Sequence, residues 1–376
     1  MDARVAKRPL RIAVLGTRGI PEVMGGVETH CQELYPRLVA RGHQITLFGR
    51  IPYLKTNSPY EYRGINVIPL WAPKKKSLEA VLQTYLGVWH VFRHRREFDL
   101  LHIHAIGPAL LIPLARLYNI PVVMTHHGPD YDRQKWGRLA KAVLRKGESW
   151  GCYCANEVIT VSKHIALLVE SMFKRKATYI PNGVNLPVLV PPGRIIEQYE
   201  LLPNKYLLAA GRFVPEKGFH DLLDAFARYD TDWRLVIAGD ADHEDAYSRS
   251  LKLQAAKDPR VVLTGFIRGN DLAEVFSNAG LFVLPSYHEG LPIALLEAIS
   301  YDLPILVSDI PANTELADAT EESFPVGNVP VLAKMLEQKM TTNRREALAR
   351  SRLDLEFNWD TVAQKTEEVY YKALNG

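Results

Sequence analysis

The sequence contains little cysteine. Its three cysteines, Cys31, Cys152 and Cys154, cannot build a disulfide framework in a chain of 376 residues. The Cys-Tyr-Cys segment has no neighbouring cysteine or histidine at a zinc-site spacing, which argues against a structural zinc ion. We therefore interpret all three as reduced residues that pack in the protein interior.

Long hydrophobic runs are also missing. The longest apolar stretches, such as the one that starts at Ala105, are too short and too interrupted by proline to span a bilayer. The opening residues MDARVAKRPL lack the apolar region of a signal peptide. With 47% hydrophobic and 23% charged residues, the composition is typical of a soluble globular protein, and we expect a cytoplasmic one. The length predicts two domains.

Positive charge is concentrated in one half of the chain. Residues 1–180 carry 27 Lys/Arg and 13 Asp/Glu, a net of +14, whereas residues 181–376 carry 19 and 29, a net of −10. Basic clusters occur at residues 74–76, 93–96 and 174–176. Each cluster alone is compatible with a solvated surface, but the imbalance of the whole half favours an acidic partner, such as anionic lipid head groups or phosphates.

Strand-like and helical segments alternate along the chain. RIAVLGTRGIP, GVETHCQELYPRLVARGH and QITLFG predict a first βαβ unit, and the alternation restarts after the proline-rich PNGVNLPVLVPPGR. The fold class is therefore α/β, with two Rossmann-like domains. We place them at residues 1–185 and 186–358, and expect the amphipathic segment 359–376 to pack back on the first domain.

The segment GRFVPEKG places Arg212 and Lys217 directly after the first predicted strand of the second domain. Ligands of open α/β sheets bind at the carboxyl ends of strands, so both cations are predicted to face the crevice between the domains. A diphosphate suits them, because arginine offers a planar fork and lysine a compact charge. Alone, the octamer is equally compatible with an exposed turn.

Two glutamates in PSYHEGLPIALLEAI need hydrogen-bond donors. Glu289 is predicted in a loop with Gly290 and Leu291, and Glu297 in a helix that begins near Pro292. A buried carboxylate without donors would be costly. Arginines, backbone amides or sugar hydroxyls could serve, and the alternative is two solvent-facing glutamates near a helix start.

The loop GTRGIPEVMGGVE of the first domain does not fit the G-x-G-x-x-G pattern of dinucleotide-binding proteins. It ends with Gly25 and Gly26 at a predicted helix start, which suits close approach of the backbone to a phosphate or an acceptor. A purely structural turn is the alternative.

Histidines follow two strands of the first domain. His126 and His127 lie just past one strand end, where an imidazole could donate to a sugar hydroxyl or to charge on a leaving group. His102 and His104 alternate along another strand, but the sequence shows no third ligand for a metal.

Asp240 and Asp242 have an Asp-x-Asp spacing that can hold a divalent ion. Arg212 and Lys217 already supply the positive charge that such an ion would provide, so we expect no metal here and interpret this segment as a turn.

Seven motifs together resemble the family 4 glycosyltransferases of the GT-B fold, over nearly the whole chain. In order, they are GTRGIPEVMGGVE, THHG, VSKH, PNGV, GRFVPEKG, EGLPIALLEA and NWDTVAQKTEEVYY. The resemblance implies two Rossmann-like domains that face each other across a crevice. It also implies retaining transfer of a hexose or deoxyhexose from a nucleotide-diphosphate sugar, without a metal or other cofactor. The implied acceptor is a glycan or a polyprenyl-diphosphate-linked sugar in cell-surface polysaccharide biosynthesis. Together with the positive charge of the first half, this predicts a peripheral protein at the inner face of an anionic membrane, and we expect no nucleic acid partner.

The resemblance also implies roles for individual residues. Arg212 and Lys217 would hold the diphosphate, Glu297 the ribose hydroxyls, and Glu289 the donor sugar. His127 matches the histidine before glycine in the family's motif and would lie against the transferred sugar. The doubled histidine leaves His126 as an alternative, and Asn185 stands where many relatives have aspartate.

Gly25 and Gly26 would approach the phosphates or the acceptor, and Gly290 and Leu291 would belong to the donor-binding loop. Two other functions share the α/β layout. A dinucleotide-dependent oxidoreductase is disfavoured by the missing glycine fingerprint, and a catalytically silent scaffold of a polysaccharide-assembly complex by the intact set of candidate residues.

Overall fold

The computed structural model describes residues 8–73, 79–132, 137–317, 319–342 and 356–375, so the basic cluster at residues 74–76 lies outside the described residues. The chain forms two compact units. The first comprises Met1–Asn182 and Trp359–Gly376, and the second comprises Gly183–Asn358. The first unit is therefore built from two separate stretches of the chain.

The strands are short, and most are apolar. They are β1 (Arg11–Leu15), β2 (Gln44–Arg50), β3 (Tyr60–Tyr62), β4 (Ile65–Leu70), β5 (Leu100–His104), β6 (Val122–His126), β7 (Glu157–Thr160), β8 (Thr178–Tyr179), β9 (Tyr206–Ala210), β10 (Arg234–Ala238), β11 (Val261–Gly265), β12 (Leu281–Leu284), β13 (Ile305–Ser308) and β14 (Ser323–Phe324).

Helices separate most of these strands. They are α1 (Gly26–Ala40), α2 (Glu79–Arg93), α3 (Ile112–Leu117), α4 (Arg138–Cys154), α5 (Lys163–Phe173), α6 (Arg194–Gln198), α7 (Phe219–Phe226), α8 (Ala246–Ala255), α9 (Gly269–Asn278), α10 (Ile293–Ser300), α11 (Pro311–Thr314), α12 (Val329–Thr342) and α13 (Trp359–Asn375).

Within the described residues, the first unit has an eight-stranded sheet in the order β3-β4-β2-β1-β5-β6-β7-β8. Its pairs are parallel except for the antiparallel β3–β4 hairpin. Buried apolar side chains cover both faces, which is why strands such as β5 and β6 are buried along their whole length. The order of the strands reverses between β1 and β5.

In the second unit, the described residues form a six-stranded parallel sheet in the order β11-β10-β9-β12-β13-β14. Its strand order reverses between β9 and β12. The two parallel sheets with flanking helices confirm the predicted α/β class with two Rossmann-like domains.

The helix α13 belongs to the first unit and packs against α1. Glu367 on α13 accepts hydrogen bonds from Arg41 and lies 2.9 Å from His43 Nε2. Among the described residues, the structure contains no helix with the length and hydrophobicity needed to cross a membrane.

Candidate active site

The candidate residues of the second unit lie at a reversal of strand order. β9 and β12 are parallel neighbours, with Leu207 opposite Leu281, and their carboxyl ends lead into the loops that carry Arg212, Lys217 and Glu289. Such reversal points open a crevice at the edge of an α/β sheet and are the usual ligand sites of these folds.

Lys217 and Glu289 meet across this point. Lys217 Nζ donates to Glu289 Oε1 at 2.6 Å, and Ser286 Oγ donates to the same oxygen at 2.6 Å. Only 18% of the Lys217 side chain and 12% of the Glu289 side chain are exposed to solvent. The pair is therefore a shielded contact between two loops rather than a surface ion pair.

Glu289 is held in its charged form. Burial by itself raises the pKa of the carboxyl, but the charge of Lys217 and the hydrogen bonds from Lys217 and Ser286 outweigh burial and lower the pKa below its ordinary value. Glu289 is consequently a carboxylate at neutral pH. A ligand with hydroxyl groups would find a ready acceptor there.

The two loops are fixed against each other by their backbones. Gly218 has φ 65°, and a Cβ at this position would clash with the carbonyl oxygen of Pro285. The amide of Tyr287 donates to the carbonyl of Glu216 at 2.8 Å. These contacts hold the Lys217 and Glu289 loops in one arrangement.

Arg212 lies in the same loop as Lys217 and pairs with Asp242, at 3.1 Å between Nη1 and Oδ2. Asp240 pairs with Lys252 at 2.8 Å. Both aspartates of the Asp-x-Asp segment therefore have cationic partners. The Arg212 guanidinium has five N–H donors, so it can keep Asp242 and still bind a phosphate oxygen.

Glu297 is the fifth residue of α10, which begins at Ile293 directly after Pro292. Its side chain is half-buried, between the buried Leu296 and Ala298. Burial together with the negative charge of Glu297 raises the pKa of Tyr301 to about 12. Leu291 is buried beside the helix start, and Gly290 forms the bend that precedes it.

In the first unit, Gly25 and Gly26 end the loop that follows β1. Gly25 caps α1 with φ 149°, and a Cβ there would collide with the side chains of Glu28 and Arg18. A Cβ at Gly26 would meet nothing within 4 Å. Gly25 is thus required by its surroundings, and Gly26 borders open space.

A buried ion pair shapes this loop, and sequence reasoning missed it. Arg18 lies 3.1 Å from Glu28 in the ion pair, and the amide of Arg18 donates to Glu28 Oε1 at 3.0 Å. A contact between a loop arginine and a glutamate in the following helix has no characteristic sequence spacing. It depends on the path of the chain through Gly25, which only the structure shows.

The adjacent histidines His126 and His127 have different surroundings. His126 is fully buried, accepts a hydrogen bond at Nδ1 from the amide of Gly128 at 3.1 Å, and lies 2.8 Å through Nε2 from Glu148. His127 is half-buried, and its Nε2 lies 2.9 Å from Nδ1 of His104. Within the described part of the chain, Nδ1 of His127 has no hydrogen-bond partner. Of the two adjacent rings, His127 is therefore the one with a ring nitrogen available for a further hydrogen bond.

The structure brings a third histidine to His104 and His127, which the sequence did not show. Ring nitrogens of His30, His104 and His127 lie within 4.8 Å of one another. His30 follows the Gly25 loop on α1, and its Nδ1 bonds Asn182 Oδ1 at 2.9 Å. The alternation of His102 and His104 along β5 identified His104 as a candidate from the sequence. It could not predict that His30 on α1 lies beside it.

Comparison with known proteins covers both units. Residues 24–187 match the family described as Glycosyltransferase Family 4, and residues 194–351 match the family described as Glycosyl transferases group 1. A glycogen synthase from Mycobacterium tuberculosis is 26% identical over 98% of this chain and 96% of its own length.

An Escherichia coli enzyme, UDP-Gal:alpha-D-GlcNAc-diphosphoundecaprenol alpha-1,3-galactosyltransferase, is 29% identical over 61% of this chain and 62% of its own length. Among solved structures, the sucrose-phosphate synthase from Thermosynechococcus elongatus superposes with a TM-score of 0.83. The two sequences are 20% identical, and the match covers 97% of this chain and 99% of the synthase chain. The two proteins therefore share a fold.

Proposed function

This chain belongs to the family 4 glycosyltransferases and adopts their GT-B fold, and we propose that it transfers a hexose or deoxyhexose with retention of anomeric configuration. The proposed acceptor is a glycan or a polyprenyl-diphosphate-linked sugar in cell-surface polysaccharide biosynthesis. The observation that carries the proposal is the Lys217–Glu289 contact at the strand reversal of the second unit.

The donor is a nucleotide sugar, and we propose that the second unit binds it. Arg212 and Lys217 would bind the diphosphate, because each offers charge-assisted donors from the loop after β9. Glu297 would accept from the ribose hydroxyls and Glu289 from the sugar, with the loop through Gly290 and Leu291 beside them. The start of α10 adds a helix dipole favourable to phosphate.

The chemistry requires stabilisation of the negative charge that develops on the departing nucleoside diphosphate. In the proposal, Lys217 and Arg212 supply this stabilisation as fixed positive charges, so no metal is needed. Glu289 supports the role in two ways: it holds Lys217 in place, and it remains an acceptor for a sugar hydroxyl.

In the first unit, His127 is proposed to contact a substrate oxygen through Nδ1. The backbone at Gly25 and Gly26 would approach the phosphates or the acceptor, an arrangement favoured by the open space at Gly26. The lipid-linked acceptor is suggested by the Escherichia coli relative, whose name specifies a diphosphoundecaprenol substrate.

An anionic membrane surface is the proposed partner of the first unit, with the protein peripheral at its cytoplasmic side. Besides the charge imbalance of the sequence, α2 carries an exposed apolar stripe at helical spacing, formed by Leu82, Tyr85, Trp89 and Phe92. The exposed Arg93 lies over the Trp89 ring at 5.8 Å. Aromatic side chains beside arginines suit the interface between lipid head groups and water.

A donor panel tests the proposal. UDP, GDP and dTDP sugars are each incubated with the enzyme and a polyprenyl-diphosphate-linked sugar, and release of the nucleoside diphosphate is measured. One donor should turn over only when acceptor is present, and NMR of the product should show the anomeric configuration of that donor. Inverted product, or no turnover with any lipid-linked or free glycan acceptor, would reject the proposal.

A further inference from the structure

A continuous line of hydrogen bonds runs from His127 into the core of the first unit. His127 Nε2 lies 2.9 Å from His104 Nδ1, and the opposite nitrogen of His104, Nε2, lies 2.5 Å from the hydroxyl of Tyr35. His104 and Tyr35 are fully buried. The His127 ring therefore hydrogen-bonds to a line of two side chains, His104 and Tyr35, that water cannot reach.

The next layer of the network surrounds His102. Its Nδ1 lies 2.7 Å from the hydroxyl of Tyr370 on α13 and 3.0 Å from that of Tyr35, and its Nε2 lies 2.7 Å from Thr125 Oγ1. Tyr370 can thus donate to His102. Tyr35 also hydrogen-bonds Tyr370, but the ring nitrogen of His104 is a more basic acceptor for the Tyr35 hydroxyl proton than the Tyr370 oxygen.

Each imidazole in the line carries one ring proton. Burial lowers the pKa of His102 to about 3 and holds the pKa values of His104 and His127 well below the ordinary value, so all three rings are neutral at neutral pH. A neutral ring donates through one nitrogen and accepts through the other. The position of one proton therefore determines the position of the next.

Two arrangements satisfy this rule. If Tyr35 donates to His104 Nε2, His104 donates through Nδ1 to His127, and the proton of His127 lies on Nδ1. If His104 donates to Tyr35, His127 must donate through Nε2 and its Nδ1 is a bare acceptor. An imidazole nitrogen is more basic than a phenol oxygen, and the short Tyr35–His104 contact is typical of an O–H donor, so the first arrangement is favoured.

We propose that Tyr35 acts through His104 as a positioning residue that fixes the proton of His127 on Nδ1. His127 then meets its ligand as a hydrogen-bond donor, and the group opposite it must be an acceptor oxygen of a sugar hydroxyl or a phosphate. The effect on catalysis rests on the proposed contact between His127 and the substrate. The tautomer of His127, in contrast, can be measured in the protein without substrate.

The tautomer is measured without substrate. Long-range proton–nitrogen NMR of protein labelled at histidine identifies the protonated nitrogen, and His127→Gln identifies the His127 signals by their loss. We expect a protonated Nδ1 in the unmodified protein and a mixed or reversed tautomer in Tyr35→Phe. A bare Nδ1 in the unmodified protein, or an unchanged tautomer in Tyr35→Phe, would overturn the proposal.

Tyr131→Phe is the matched control. Tyr131 is also a buried tyrosine of the first unit, but its hydroxyl lies 3.4 Å from Glu148, the partner of His126. This variant should keep both the His127 tautomer and turnover. In Tyr35→Phe, kcat should fall about threefold to tenfold, as expected for one neutral hydrogen bond, while affinity for the free nucleoside diphosphate stays unchanged.

Metal content provides an independent check, since His30, His104 and His127 form a cluster of ring nitrogens. A zinc ion in this cluster would need the lone pair of His104 Nδ1 as a ligand. A proton on that atom, as proposed here, is incompatible with zinc binding. One tightly bound zinc per purified chain would overturn the proposal. Full turnover in His127→Ala would instead reject the substrate contact and leave the tautomer result intact.

Discussion

Lys217 and Glu289 are 72 residues apart in sequence, yet their side chains meet at 2.6 Å across the point where the second sheet reverses its strand order. The loop after β9 supplies the cation and the loop after β12 supplies the carboxylate. A ligand that enters this point meets both charges together, already desolvated and held by Ser286 and by the Gly218–Pro285 backbone contact.

Replacing Lys217 by alanine should weaken binding of the donor or its transition state by about 1.5–3 kcal/mol, the range for a charge-assisted hydrogen bond. Steady-state kinetics and calorimetry with the nucleoside diphosphate measure the loss. Lys205→Ala is the control, since Lys205 lies in the same unit, where it pairs with the exposed Asp232 and lies over the Trp233 ring. Unchanged affinity and turnover in Lys217→Ala would exclude Lys217 from the donor site.

Turnover should survive dialysis against excess EDTA. Arg212 and Lys217 can balance the diphosphate charge, and Asp240 and Asp242 are already paired with Lys252 and Arg212. The measurement is the rate before and after chelation. Activity that is lost and then restored by magnesium or manganese would make the two aspartates metal ligands.

Acid should destabilise the first unit well above the pKa range of carboxylates. Burial lowers the pKa of His30 to about 4 and that of His102 to about 3, whereas both titrate near 6.5 when unfolded. Below about pH 6.5 the unfolded chain therefore binds protons that the folded chain excludes. The free energy of unfolding should fall by up to about 1.4 kcal/mol per pH unit for each histidine.

Urea unfolding at about pH 7 and about pH 5 checks this slope. Asp99, with a pKa lowered to about 2, loses its stabilising effect only at lower pH and does not interfere. His30→Gln should reduce the slope, and His164→Gln, which alters an exposed histidine, should preserve it. Equal unfolding midpoints at the two pH values would contradict the prediction, because they would show that the buried histidines take up protons in the folded protein as they do in the unfolded chain.

Binding to anionic vesicles should decrease when Arg93, Arg96 and Trp89 are replaced by Gln, Gln and Ala. Each basic residue near a membrane contributes roughly 1 kcal/mol, and this attraction weakens as salt rises. Arg95 is left in place because its guanidinium donates to the carbonyls of Phe98 and Asn119. Flotation with anionic and neutral liposomes at low and high salt is the measurement.

A variant with Arg228 and Lys257 replaced by Gln removes the same number of exposed positive charges from the second unit and should still bind. Donor affinity should be unchanged in both variants. If the unmodified protein floats equally with neutral and anionic vesicles, or with neither at low salt, the basic half is a solvated surface.

The sequence predicts the framework well because parallel strands covered on both faces consist of continuous apolar residues. The predicted segments RIAVLGTRGIP and QITLFG contain β1 and most of β2. The short strands β3, β8 and β14 were not predicted. With two or three residues each, they depend on pairing with a neighbouring strand rather than on a local pattern.

Contacts between distant residues are the part that the sequence does not predict. It placed Arg212, Lys217 and Glu289 at strand ends, but their individual partners depend on strand order and on loop paths. Likewise, the sequence favoured His127 and left His126 as an alternative, and it could not predict their different partners, His104 and Glu148. Burial decides the protonation of such groups, and burial is a property of the complete fold.

The return of α13 to the first unit has a consequence for synthesis of the protein. The second unit, Gly183–Asn358, is encoded without interruption and can close its core as soon as its last strand and helix leave the ribosome. The first unit must wait for Trp359 and Tyr370, which belong to its buried core. During translation, the unit that begins the chain is therefore the last to complete its core, and the hydroxyl of Tyr370 reaches His102 only at that final stage.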